Sequence, residues 1–385
     1  MEERWKGKAA TPSESHRSSR FPHQSPSNPK RSTRVTGNPR EIQFVPPLNE
    51  PIAVRHPVSL LAFGLLGRAK FADLKRNNGK IKMNRLAVIT MLWTAHIACA
   101  QDMPKQSVFG GLENMVLSTG SRRIRLMDQT GEIKWSYPAG NAHDCWMLPN
   151  GNVLFADGEI KEVNPETNAI VWQYKSQKTR GGGAFSCQRL PGGLTLVGEN
   201  STGRILEIDQ DGKIVFQMQV QPYREGDHHN LRMVRKLNNG NYLVCHSGAH
   251  VVREHTPQGE VVFEAKVDNI AFSAVRLDNG NTLTGHIDQI TEFDPHGKEV
   301  WKLSNKEIEG VVIGSMCDVH VLPNGHIAVG VYQAYQEDGR GNGLFEITRD
   351  KHLVWRYSNP NEDKNMMGIQ VLDATGKPLQ GTPLR

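Results

Sequence analysis

The sequence predicts an all-β fold, a six-bladed β-propeller of four-stranded antiparallel blades spanning residues 112–373. Three observations carry that expectation. A Leu-x-x-Gly turn recurs along the chain, an aromatic-bearing segment recurs out of phase with it, and between the two the apolar residues alternate at period two.

The turns read LPNGN (148–152), LPGGL (190–194), LNNGN (237–241), LDNGN (277–281) and LPNGH (322–326), so the leading Leu steps by 42, 47, 40 and 45 residues. A four-stranded propeller blade needs about 40–45 residues. The aromatic segments are DQTGEIKWSY (128–137), NPETNAIVWQY (164–174), DQDGKIVFQM (209–218), TPQGEVVFEA (256–265), DPHGKEVWKL (294–303) and TRDKHLVWRY (348–357). Six copies imply six blades. Each blade then holds an inner strand ending at the turn Leu and three strands running outward to the aromatic. Trp135, Trp172, Phe216, Phe263, Trp301 and Trp355 are expected to pack between neighbouring blades, away from the ring axis.

The ends of the array show how the ring closes. Residues 113–137 supply three strands with no inner strand before them, whereas the last unit leaves one strand over, Gly368–Asp373. Pairing the two would complete a sixth blade and remove an open sheet edge. Residues 101–111 read as a linker and 374–385 as a tail.

The 385 residues carry a formal charge of +6, unevenly distributed. Residues 1–82 hold 16 Lys and Arg against 6 Asp and Glu, whereas the chain from Gln101 onward holds 29 against 34. The propeller is therefore mildly acidic, which argues against a nucleic-acid partner. Residues 1–82 lack apolar periodicity and read as a disordered basic segment. Met83 opens a signal-like stretch: Arg85, the apolar run Leu86–Ile97, then Ala98-Cys99-Ala100 before Gln101. The expectation is translation from Met83, cleavage after Ala100 and export without a transmembrane anchor. Lipid attachment at Cys99 is the alternative, although His96 stands where an aliphatic residue is wanted.

The candidate site follows from the inner strands. Five residues before the turn Leu stand His143, Phe185, Phe272, Cys317 and Met367; four before it stand Asp144, Ser186, Ser273, Asp318 and Gly368. The second set reads as a channel-facing polar row, and Cys145, Cys187, Ala274, Val319 and Ile369 after it as blade packing. Asp227-His228-His229-Asn230 lies about three residues further from its turn and is expected to bulge over the channel mouth. The catalytic candidates are His143, Asp144, His228 and His229; the binding candidates are Ser186, Asn230, Arg232, Ser273, Asp318 and His320. Water-bridged structural polarity, a substrate site and a metal site all stay open for this set, with no His-x-His spacing to favour the metal. Arg180, Arg224 and Arg232 could hold an anion. Cys145, Cys187, Cys245 and Cys317 fall in strands of different blades and read as buried free thiols, with Cys145 and Cys187 the pair to test. Arg180–Gly183 reads as a turn, not a phosphate loop, because no helix follows it.

Two family resemblances bear on this site. NPETNAIVWQY, with Asn164, Pro165, Thr167 and Trp172, resembles the blade motif of pyrroloquinoline-quinone-type propellers. That resemblance implies the architecture and raises pyrroloquinoline quinone as a cofactor. The dehydrogenases of that superfamily, however, typically have more blades and a disulfide between neighbouring cysteines, both lacking here. The stretch His143-Asp144-Cys145-Trp146-Met147-Leu148-Pro149-Asn150-Gly151-Asn152 is similar to the arylsulfotransferase-like propellers. This likeness implies sulfuryl transfer by a funnel histidine, His143 or His228/His229, oriented by Asp144. The expected function is thus a monomeric exported propeller binding a small molecule or protein at its channel, ahead of an arylsulfotransferase-like transferase and then a quinone-dependent oxidoreductase.

Overall fold

The computed structural model describes residues 76–77, 80–81, 107–332, 343–358, 366–381 and 385. The chain divides into two units, Met1–Met83 and Asn84–Arg385. In the first, β1 (Arg76–Asn77) and β2 (Lys80–Ile81) form a short antiparallel pair. The signal-like stretch 83–100 lies outside the described residues, as does the rest of the basic segment.

The second unit is the six-bladed propeller. Its chain begins with β3 (Ser107–Phe109), β4 (Val116–Gly120), β5 (Arg123–Met127) and β6 (Ile133–Pro138). Blade 2 is β7 (Asp144–Met147), β8 (Val153–Ala156), β9 (Ile160–Val163) and β10 (Ile170–Tyr174); blade 3 is β11 (Ala184–Arg189), β12 (Thr195–Glu199), β13 (Arg204–Ile208) and β14 (Ile214–Gln219). Blade 4 comprises β15 (Val234–Lys236), β16 (Tyr242–His246), β17 (Val251–His255) and β18 (Val261–Lys266). Blade 5 comprises β19 (Ala271–Arg276), β20 (Thr282–His286), β21 (Gln289–Phe293) and β22 (Glu299–Ser304). Blade 6 is β23 (Cys317–Val321), β24 (Ile327–Val331), β25 (Leu344–Ile347) and β26 (Leu353–Ser358), and β27 (Met366–Val371) returns to head blade 1 in the order β27-β4-β5-β6. The closure is antiparallel, with Ile369 opposite Ser118 and Val371 opposite Val116, as the leftover strand predicts.

The stretch expected to be a linker does more than connect. Ser107–Phe109 pairs with β26 and gives blade 6 a fifth, outermost strand.

Local chemistry accounts for the repeats. In the turn after β7, Gly151 takes φ +84°, donates its N–H to the Leu148 carbonyl, and lets Asn150 Oδ1 accept from Asn152 N–H. A side chain there would force a left-handed conformation on an L-residue. Every blade also carries a bulge on its outer pair just before the aromatic; in blade 2, Ile170 faces Val163 and Trp172 faces Glu162, so Val171 has no partner and stands exposed. The bulge turns the aromatic back toward the neighbouring blade. Trp135 Nε1 accordingly donates to Asn168 of blade 2, Trp172 to the Gln210 carbonyl of blade 3, and Trp301 to the Arg349 carbonyl of blade 6. The core consists of apolar clusters between successive blades, such as Trp146, Leu154, Ala184, Cys187 and Val197 between blades 2 and 3.

Beneath the aromatics, at the Gly-turn end, a second repeat ties the blades. Glu162, Glu207, Glu254 and Glu292 face the blade aromatics across the outer pair and are nearly buried. They pair with Arg189, Lys236, Arg276 and Arg349 of other blades. Asn152, Asn241 and Asn281 of the Gly turns donate to Glu162, Glu254 and Glu292.

Candidate functional site

The inner strand of a blade uses one edge for its sheet, and the other edge presents N–H and C=O groups that need partners. That requirement decides the fate of the polar row. Asp144 Oδ2 accepts from Cys187 N–H, Ser186 Oγ from Val234 N–H and Asp318 Oδ2 from Ile369 N–H, each at 3.0 Å, while Ser273 Oγ donates to the Cys317 carbonyl at 3.0 Å. In four of the six blades the row thus links one inner strand to the next, with Met233 and Gly368 at the equivalent positions of the other two, while Asp144 and Asp318 also reach the arginines at the channel waist.

Two residues further along, the same device repeats. Gln188 accepts from Lys236 N–H, His320 Nδ1 from Val371 N–H at 3.0 Å, and Gln370 from Met147 N–H. Burial drives the His320 imidazole down to about 3, so it is neutral and serves as an acceptor.

Asp144 also does not orient His143. Adjacent strand residues point to opposite faces. The Asp144 carboxylate faces Arg235, whose Nη1 and Nη2 approach its two oxygens at 2.8 and 3.2 Å. Asp318, the other buried carboxylate of the ring, is pushed up to about 6, chiefly by desolvation and against the pull of Arg385 and Arg235. Between the two carboxylates sits Arg385, buried. The guanidinium groups of Arg235 and Arg385 fill this waist.

The mouth of the channel is different. His143 stacks on Phe185 with ring centroids 4.2 Å apart and planes within 5°, and His228 meets Phe185 edge-on at 5.0 Å. His143 and His228 lie 6.2 Å apart, and Phe272 lies 6.3 Å from His143. The Arg232 guanidinium sits 4.6 Å from the Phe185 ring centre and donates to the His228 carbonyl. A cleft of about 360 Å³ is lined by Gly120, Arg122, Gly140, Asn141, Ala142 and Met367, and by none of His143, Phe185, His228 and Arg232.

Two buried polar atoms of the mouth lack a hydrogen-bond partner, His143 Nδ1 and Arg232 Nε. Burial, reinforced by the charge of Arg232, holds the His143 imidazole well below its usual range, so it is neutral near pH 7. His228 and His229 are lowered by the same two causes. The 227–230 loop does reach the mouth. His228 Nδ1 lies 3.0 Å from the Gly181 carbonyl, and Asn230 braces the loop by donating to the carbonyls of Asn200, Arg224 and Asp227. His229 remains more exposed, with its ring 3.5 Å from Asp227.

The structure thus brings together His143, His228 and Arg232, keeps His229 at the edge, and assigns Asp144, Ser186, Ser273, Asp318 and His320 to contacts between blades. Among the described residues no group of three His, Cys, Asp or Glu side chains is placed to hold a metal ion. Cys145, Cys187, Cys245 and Cys317 are buried free thiols. Cys145 is pushed up to about 12 by burial, which removes it as a nucleophile. No described helix is long and apolar enough to cross a membrane.

Arg235 and Arg385 are the functional-site residues that sequence reasoning missed. Arg235 stands two before its turn Leu, a position that also holds Trp146, Gln188, His320 and Gln370. A polar column there was a signal that could have revealed it; Arg385 follows no repeat.

No protein-family model matches the chain, and no curated protein matches it in sequence. Solved structures do resemble it. A protein of unknown function from Bacteroides caccae is 23% identical over 67% of this chain and 98% of its own, with a TM-score of 0.59. Virginiamycin B lyase from Staphylococcus aureus is 10% identical, over 69% of this chain and 96% of its own, at a TM-score of 0.47. BamB from Moraxella catarrhalis is 16% identical over 69% and 80%, at 0.38. These likenesses show the propeller fold and nothing finer.

Proposed function

We propose that this propeller binds a small planar molecule with a negative group at the His143–Phe185–Arg232 mouth. The carrying observation is the pair of buried, unpartnered atoms, His143 Nδ1 and Arg232 Nε, beside the Phe185 ring. Leaving such groups unpaired costs about 1–3 kcal/mol each, a cost that a ligand supplying partners would remove. The same set suits an anion: Arg232 supplies the charge, and the buried rings of Phe185 and Phe272 an apolar surround.

A second reading, sulfuryl transfer, has one observation behind it. His143 is neutral and buried, so its imidazole nitrogen carries a lone pair for attack. In that reaction the nitrogen would attack sulfur as the aryl oxygen leaves with its electron pair. The hydroxyl of an acceptor phenol would then take the sulfuryl group from nitrogen and release its proton.

One experiment tests both. Calorimetric titration with 4-nitrophenyl sulfate is expected to show binding to the native chain and its loss in His143→Phe and Arg232→Met. No heat, or heat unchanged by both variants, would overturn the mouth as the site. Release of 4-nitrophenolate on adding phenol, abolished in His143→Phe, would establish the transferase reading over simple binding.

A further inference from the structure

The channel waist holds a charge set that the mouth does not use. Asp144 of blade 2 and Asp318 of blade 6 supply two carboxylates, and Arg235 of blade 4 and Arg385 supply two guanidinium groups, all buried. Arg235 is part of the wall, carried on β15 and forked onto Asp144. Arg385 belongs to no strand, yet its guanidinium is received as a ligand's would be. It lies 4.2 Å from the Trp146 ring centre, its Nε donates to the Ile369 carbonyl at 3.1 Å, and its Nη1 donates to the Cys145 carbonyl. Its Nη2 stands 3.7 Å from Asp144 and 3.6 Å from Asp318. Arg235 Nε in turn donates to the main-chain oxygen of Arg385 at 2.7 Å.

An aromatic face, main-chain oxygens and flanking carboxylates are the elements that distinguish a planar guanidinium from an ammonium. The two carbonyls belong to β27 and to the blade 2 inner strand β7, whose channel edges have no strand partner. Without Arg385 they would lose their donors, and the waist would keep two carboxylates against one guanidinium, a buried excess of negative charge that draws in a cation. The occupancy is also imperfect, because Nη2 is buried with no hydrogen bond.

We propose that the channel waist is a guanidinium-binding site, filled by Arg385 in this state and open to an arginine side chain or other alkylguanidinium when Arg385 is withdrawn. The proposal is separate from the mouth reading and stands on different residues.

The test is thermal unfolding of the full chain with ethylguanidinium at low millimolar concentration, against ethylammonium at equal ionic strength. Arg385→Ala is expected to melt several degrees below the native chain. Ethylguanidinium should restore much of that loss, ethylammonium should restore little, and the native chain should respond to neither. Adding Asp318→Asn to Arg385→Ala should abolish the rescue. Should Arg385→Ala not fold, Arg385→Lys keeps the charge without the planar fork and should show the same guanidinium-specific rise. An equal response to both cations, or no response in the variants, would overturn the proposal.

Discussion

The two ends of the channel obey different rules. At the Gly-turn end five of the six blades set a near-buried glutamate opposite the aromatic, whereas blade 1 has Leu126 there. A turn asparagine holds the glutamate of blades 2, 4 and 5, Tyr242 that of blade 3 and His326 that of blade 6. At the mouth, the equivalent position holds five residue types in six blades: His143, Phe185, Arg232, Phe272, Cys317 and Met367. The near-buried glutamates of the first end are all paired, whereas at the second His143 Nδ1 and Arg232 Nε are buried without a hydrogen bond. A ring closes on contacts that recur from blade to blade, so repetition marks what holds it together. Departure from the repeat, at a cost in unpaired polar atoms, marks what the ring is for.

The sharpest way to break that comparison is at the waist, where the two regimes meet. Asp144→Ala leaves Arg235 buried without its carboxylate and Cys187 N–H without an acceptor. The expected loss is about 3–5 kcal/mol in urea unfolding, the largest single effect in the molecule. A loss under about 1 kcal/mol would mean that Arg385 and its neighbours reorganise around the gap.

The Gly-turn end offers a test of repetition itself. Truncating Glu162, Glu207, Glu254 or Glu292 to Ala should cost about 1.5–3 kcal/mol each. Glu162, Glu254 and Glu292, each held by a turn asparagine and an arginine, should agree within a narrow band, and Glu207, held by Tyr242 and Lys236, is the one free to depart from it. A wide spread would show that the pattern is shared and the energetics are not.

The pH dependence separates structural histidines from the acid at the waist. His246 and His320 are held down to about 3 and His286 to about 4, each chiefly by burial. Unfolding exposes them to protonation near 6.5, so the unfolded state binds more protons in that window. Their contribution to stability is complete above about pH 6.5 and drains away as pH falls toward 3. Asp318 has the opposite sign: its raised value means that the folded state holds the extra proton between about 4 and 6, so its contribution falls as pH rises through that range. Net stability should rise from pH 4 to 6.5, and Asp318→Asn should make that rise steeper. A shallower rise would reverse the assignment of Asp318.

These regions also differ in how far the sequence reveals them. The blades, the closing strand and the aromatic seams were legible because each is written several times, and only turns and bulges of fixed chemistry satisfy the spacing. His143, His228 and Arg232 were found among the candidates because titratable residues at the head of an inner strand break the repeat. The direction of a side chain was not legible. Asp144 and Ser186 stand at the same place by spacing, and only the bare edge of the adjoining inner strand explains why each also binds a main-chain N–H of the next blade. Arg385 left no trace, since a residue outside the blades reaches the axis through tertiary structure alone.

The smallest effect on stability should accompany the largest effect on binding. His143→Phe keeps the ring stacked on Phe185 and deletes a buried nitrogen that has no partner, so it removes a desolvation cost while giving up no hydrogen bond at Nδ1. The variant should be as stable as the native chain or about 1 kcal/mol more stable. Its affinity for an aromatic anion should fall below detection in the same preparation. A destabilised His143→Phe would mean that Nδ1 has a structural partner such as a fixed water, and the mouth would then follow the same rule as the opposite end. A stable variant that no longer binds would confine the departure from the repeat to function.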